Sequence, residues 1–294
     1  MSSLLKGKGE KLFPLVLGPH LKGISSSRTM IWGISAALLP IWISSFIAFG
    51  WNSLRVLALT VICAAAFEFG FRVLTAQKQK LKDGSAILTG ALLGLLLPPT
   101  ASWQATVVGV FIAIVIGKEM FGGLGQNLFH PALAGYVALH ALFPQETASF
   151  SQTVSAAISQ LFFENRLDLP SGPSVFSILI AGVILLLRKW IFWQAPLFYL
   201  TAAALTSYLI GHVPIYGFMN GSVFFCAFFL VTDGATTPIT KRGRCIFAAT
   251  AGVLTASFFS WMSWMESVVF SVLLMNAVNP LLDRFVRPQS KGLR

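Results

Sequence analysis

The chain alternates between long apolar runs and short polar breaks. Apolar stretches occupy about 30–49, 52–71, 85–97, 103–117, 128–143, 174–188, 194–210, 221–232, 244–261 and 266–283. Each predicts a helix, because backbone groups at membrane depth have no water to bond and must bond one another. Ten such segments predict ten crossings. The third, fifth and eighth fall short of the roughly 20 residues that a simple span requires. Their length predicts broken or half-length helices shielded inside a bundle.

One break is unusual. Phe121-Gly-Gly-Leu-Gly-Gln-Asn-Leu-Phe-His-Pro-Ala-Leu-Ala-Gly-Tyr136 is glycine-rich and then proline-broken between two apolar segments. Proline removes a backbone donor, so such a stretch needs protein or a water-filled cavity around it. An echo lies downstream in Met275-Asn-Ala-Val-Asn-Pro-Leu-Leu-Asp283. Asn276 and Pro280 repeat the spacing of Asn127 and Pro131 at an offset of 149 (276 − 127 and 280 − 131). Gly84-Ser85 opens a short apolar run ending at Pro98-Pro99, much as Gly221-Ser222 opens one ending at Thr237-Pro238. Two repeats follow, 29–143 and 174–284, joined by a loop at 144–173 and flanked by tails at 1–28 and 285–294. Five crossings is an odd number, so the second repeat is expected to be inverted in the membrane relative to the first. A ligand is then expected near the midplane, between the interrupted helices.

Composition agrees with the pattern. The chain is 55% hydrophobic and 11% charged, with a mean hydropathy of +0.76, far more apolar than a soluble domain. Its net charge of +11 does not point to nucleic acid, because the cations sit in short clusters between apolar runs. With the N-terminus in the cytoplasm, 19 of the 21 Lys and Arg residues fall on the inner side, and only Arg55 and Arg166 fall outside. Both termini are therefore expected to be cytoplasmic. The first apolar run lacks a cleavage site and reads as a retained span. Cys63, Cys226 and Cys245 show no metal or redox spacing and read as small buried hydrophobes.

No nucleotide-binding loop, zinc motif or nucleophile elbow is present, so no catalytic residue or metal ligand is assigned. Glu68 and Asp233 are the ionisable groups nearest to membrane depth and are candidates because such groups are costly there. Glu68 also reads as a partner for Arg72 one turn on. Asp233 opens Asp-Gly-Ala-Thr-Thr-Pro238, where free backbone groups and hydroxyls can hold a polar ligand or form a plain turn. His130 reads as a hydrogen-bonding group at a helix break or as a structural residue. The phenylalanines of 224–229 read as packing, with stacking on a planar ring as the alternative. The expected central site comprises Gly122, Gly123, Gly125, Asn127 and His130 from the first repeat, with Asp233, Thr236, Asn276 and Asn279 from the second.

Three stretches together resemble a known family. They are Asp83-Gly-Ser-Ala-Ile-Leu-Thr-Gly-Ala-Leu-Leu-Gly-Leu-Leu-Leu-Pro-Pro99, Gly117-Lys-Glu-Met-Phe-Gly-Gly-Leu-Gly-Gln-Asn127 with the following His-Pro-Ala132, and Leu273-Leu-Met-Asn-Ala-Val-Asn-Pro-Leu-Leu-Asp-Arg284. These look like the RnfD and NqrB subunits of ion-translocating oxidoreductases, over residues 19 to 286. The length of the chain fits the RnfD branch. The resemblance implies an all-α polytopic fold of ten transmembrane helices in two inverted five-helix repeats, similar to urea transporters. It also implies a bacterial or archaeal cytoplasmic (inner) membrane and partner subunits, both membrane and peripheral, of an Rnf or Nqr complex. The chain would not be catalytic alone, and electrons would pass through a flavin, FMN or riboflavin, while the complex moves Na⁺ or H⁺. Relatives attach FMN to the last threonine of a Ser/Thr-Gly-Ala-Thr motif in the outer loop. Here that loop has no such motif, and the nearest match is Gly234-Ala-Thr236 after Asp233, which implies a non-covalent flavin. Relatives commonly carry Asn where this chain has His130. The alternative from another class is a solute or ion transporter on the same scaffold without redox chemistry.

Overall fold

The computed structural model describes residues 27–75, 83–123, 125–147, 175–211 and 221–286. Much of the tail at 1–28, most of the 144–173 loop and residues 287–294 lie outside the described residues. Helices occupy every one of the ten predicted segments, and no strand occurs among the described residues. Helix α1 (Ser27–Ala37) passes almost directly into α2 (Leu39–Phe49), with Pro40 in the first turn of α2, a place where its missing N–H is tolerated. Helix α3 (Trp51–Leu74) follows at Gly50. The stretches 27–49, 51–74, 103–121 and 264–286 are each long and apolar enough to cross a membrane. With the shorter apolar helices between them, they make the chain a polytopic membrane protein.

Helix α3 shows how the interior is built. Its buried positions are Ser53, Val56, Thr60, Ala64, Glu68 and Arg72, one every three or four residues, so small and polar side chains face inward. Ile62 and Phe69 face out. That inversion suits a solvent as apolar as leucine, where close approach and buried polar pairs hold helices together. Helix α4 (Ser85–Leu96) is buried on nearly every side and stops before Pro98-Pro99. At 12 residues it extends about 18 Å, well short of a hydrocarbon core about 30 Å thick. A side chain on Gly90 would meet the Thr60 backbone oxygen at 2.7 Å, so α4 lies directly on α3.

Helix α5 (Trp103–Phe111), capped by Ser102, widens into a π-helical turn at Ile112–Ile116 and then a 3-10 turn at Glu119–Phe121. Helix α6 (Pro131–Leu142) restarts after a loop with His130 at its N-cap and Pro131 as its first residue. The second half contains α7 (Val175–Leu187), α8 (Gln194–Ile210) and α9 (Gly221–Phe225), which ends in a second π-helical turn at Cys226–Leu230. Helices α10 (Lys241–Phe258) and α11 (Trp264–Val286) complete it. The halves interlock. Helices α1 and α2 pack on α7, where the Ser44 and Ser177 hydroxyls lie 2.9 Å apart, and α6 packs on α11.

Pro280 does not break its helix. The sequence predicts an interruption there like that at Pro131, yet α11 runs unbroken from Trp264 to Val286 with Pro280 inside it. A proline removes one helical hydrogen bond, and packing of α11 against α6, α9 and α10 holds the helix together through that loss. The glycine-rich member of the pair does open into a loop.

Candidate functional site: a carboxamide-lined cavity

Three glycines shape the loop between the 3-10 turn and α6. Gly122, Gly123 and Gly125 have φ of 107°, 87° and 82°, in the region that residues with a Cβ avoid. The turn they make lays Gln126, Asn127 and Leu128 against the last turns of α11. Between loop and helix lies a cavity of about 540 Å³, with Gly125, Gln126 and Asn127 on one wall and Asn276, Asn279 and Arg284 on the other. That volume lies in the range of small-molecule sites.

Hydrogen bonds tie three chain segments together beside this cavity. Asn276, with its carboxamide oxygen facing the loop, accepts from the His130 backbone N–H at 3.0 Å and donates to the Val272 carbonyl oxygen at 3.3 Å. Asn279 donates to the Thr236 carbonyl oxygen at 3.0 Å. Thr236 in turn donates its hydroxyl to Asp233 Oδ2 at 2.9 Å, and the Ile239 N–H donates to Asp283 Oδ1 at 3.1 Å. The charge of Asp233 also acts on the His130 ring. Asn127 Oδ1, His130 Nδ1 and Asn279 Oδ1 are nevertheless buried without a hydrogen-bond partner. Each such atom costs about 1–3 kcal/mol, so three around one site mark a place shaped for a polar ligand.

A second polar centre lies on the other side of the glycine turn. The π-helical turn ends at Gly117 and directs Lys118 and Glu119 inward, where they are 1% and 4% exposed. Lys118 Nζ donates to Glu68 Oε1 at 3.0 Å and to Ser85 Oγ at 2.6 Å. Arg72 pairs with Glu68 and lies 3.6 Å from Glu119 Oε2 and 3.7 Å from Asp83 Oδ2. Asp83 Oδ1 accepts from both the N–H and the hydroxyl of Ser85. Both readings of Glu68 therefore hold in part: it pairs with Arg72 one turn on, and it also belongs to a buried cluster spanning α3, α4 and the end of α5.

The model of the family described as NQR2, RnfD, RnfE matches residues 15–292. The chain belongs to this family. Similar relatives are the D subunits of two complexes: the Na(+)-translocating ferredoxin:NAD(+) oxidoreductase of Acetobacterium woodii, 33% identical over 94% of both chains, and the ion-translocating oxidoreductase of Methanosarcina acetivorans, 32% identical over 93% of this chain and 95% of the relative. The D subunit of the proton-translocating ferredoxin:NAD(+) oxidoreductase complex of Clostridium ljungdahlii is 29% identical over 97% of this chain and 98% of the relative.

In this family member the structure gathers most of the expected site. Gly125, Asn127, Asn276 and Asn279 line the cavity. His130 joins them through Asn276, and Thr236 with Asp233 through Asn279. Gly122 and Gly123 shape the turn between the two polar centres without lining the cavity. Phe225 and Phe229 stack on each other in the core, 5.2 Å between centroids, so they pack. Gln126, Asp283 and Arg284 also line the cavity, and Lys118 and Glu119 form the second centre. The sequence does carry a signal for that pair: two ionisable residues at the end of an apolar run need a buried partner.

Proposed function

We propose that this chain is the D subunit of an Rnf-type ion-translocating ferredoxin:NAD oxidoreductase complex and holds a flavin in the cavity between the glycine turn and α11. The names of the three relatives support the complex and its partner subunits. One observation carries the flavin: carboxamides and three unpartnered buried polar atoms converge on a cavity of suitable size. A carboxamide both donates and accepts, which matches the mixed donor and acceptor edge of a flavin ring. Asn127, Asn276 and Asn279 would hold that edge, and Arg284 stands at the wall for a more polar tail. Flavin supplies the one- and two-electron chemistry, while the protein sets position and potential.

The flavin in this reading is non-covalent. The Thr236 hydroxyl is donated to Asp233 and its residue is 1% exposed, a poor acceptor for a phosphoester. We also infer ten crossings in two inverted five-helix halves with both termini in the cytoplasm, supported by the ten helical segments and the 19 of 21 cations on one side. Relatives are named for sodium and for protons alike, so either ion fits. Asn127→Leu tests the reading. The purified variant should be inserted normally and should lose its flavin; unchanged flavin content would refute the assignment, and absence of flavin from the unmodified complex would favour a transporter without redox chemistry.

A further inference from the structure

The cluster around Lys118 has more carboxylate than it can satisfy. Among the described residues it holds three acids, Glu68, Asp83 and Glu119, against two cations, Arg72 and Lys118. The shortfall falls on one atom. Glu119 Oε2 faces Arg72, but Glu119 Oε1 is buried without a hydrogen-bond donor, and Lys118 Nζ stands 3.7 Å away with its bonds directed to Glu68 and Ser85. A charge taken out of water without full pairing is costly. Asp83, 23% exposed at its side chain, is the part of the cluster that reaches the rim and gives a path inward.

We propose that this cluster is a binding site for one exchangeable monovalent cation, H⁺ or Na⁺, completed at Glu119 Oε1. The groups facing Glu119 are Glu68 and Arg72 from α3, Asp83 and Ser85 at the start of α4, and its own neighbour Lys118. One added positive charge brings three acids and two cations to balance. The site is separate from the carboxamide cavity and stands whether or not that cavity holds a flavin. It would place a cation-loading position inside this subunit, at the end of the helices that carries Arg72 and Lys118.

A cation that binds only the folded protein raises its unfolding midpoint. The purified complex is therefore melted in two series: NaCl replacing choline chloride at fixed pH and ionic strength, and falling pH without Na⁺. The unmodified protein should gain about 3 °C or more in one series, the sodium series identifying Na⁺ and the pH series H⁺. Glu119→Gln, which removes the unmatched charge and keeps the shape, should lose that gain. A midpoint that responds to neither cation, or a response equal in Glu119→Gln, overturns the proposal. If Glu119→Gln does not fold, Asp83→Asn decides: a reduced response supports the site and an unchanged one refutes it.

Discussion

Asn279 in α11 donates its side-chain N–H to the Thr236 carbonyl oxygen at 3.0 Å. This bond joins a helix to the turn after α9 and leaves Asn279 Oδ1 buried and unpartnered beside the cavity. Asn279→Ala removes the donor from a buried carbonyl. It should cost about 1–2 kcal/mol of stability and lower flavin retention, read as unfolding midpoint and bound flavin per chain. Asn279→Asp should lose the donor as well and retain no more flavin than the alanine variant.

Lys118 is the central cation of the buried cluster, with Glu68, Ser85 and Glu119 around it. Lys118→Met keeps the bulk and leaves the carboxylates short of a cation, so it should destabilise by about 3–5 kcal/mol. Arg188 lies against the Trp190 ring outside that cluster, and Arg188→Gln should stay within about 0.5 kcal/mol of the parent. Thermal unfolding of both variants checks the contrast.

Helix α10 lies on α8 at Gly252, where an added Cβ would stand 2.4 Å from the Tyr199 backbone oxygen. Gly252→Ala therefore forces backbone apart and should cost about 1–3 kcal/mol. Gly70 on α3 has nothing within 4 Å of an added Cβ. Gly70→Ala should be neutral or stabilising by up to about 1 kcal/mol. Expression level and midpoint of this matched pair separate close helix packing from helix propensity.

His130 contributes its backbone N–H to Asn276 and a buried ring nitrogen with no partner. His130→Asn keeps a side chain able to donate and accept, and should keep flavin bound. His130→Leu should reduce retention while preserving α6, because Pro131 and the loop glycines are untouched. Bound flavin per chain in the two variants checks the difference.

The helices were legible because apolar runs at membrane depth have one backbone solution. The cavity was legible in outline because Asn127 and Asn276 accompany glycine and proline, and such breaks must be satisfied by something. Two features were not. The π-helical turns at Ile112–Ile116 and Cys226–Leu230 share the composition of the α-helices that lead into them, so nothing local announces a turn that swings Lys118 and Glu119 inward. The contact between Lys118 and Glu68 spans 50 residues of chain, and only the packing of α3, α4 and α5 brings those charges together. Pro280 misled in the opposite direction, since tertiary contacts outweigh the single hydrogen bond it removes.

A non-covalent flavin between the glycine turn and α11 is tested most directly by the visible spectrum of the purified complex and of this subunit, before and after acid denaturation, with in-gel fluorescence of the denatured chain. The prediction is a flavin spectrum in the native protein and release of all the flavin carried by this chain into the acid supernatant, with the amount falling in Asn127→Leu. Flavin that stays on the denatured chain, or none in the native complex, would contradict it.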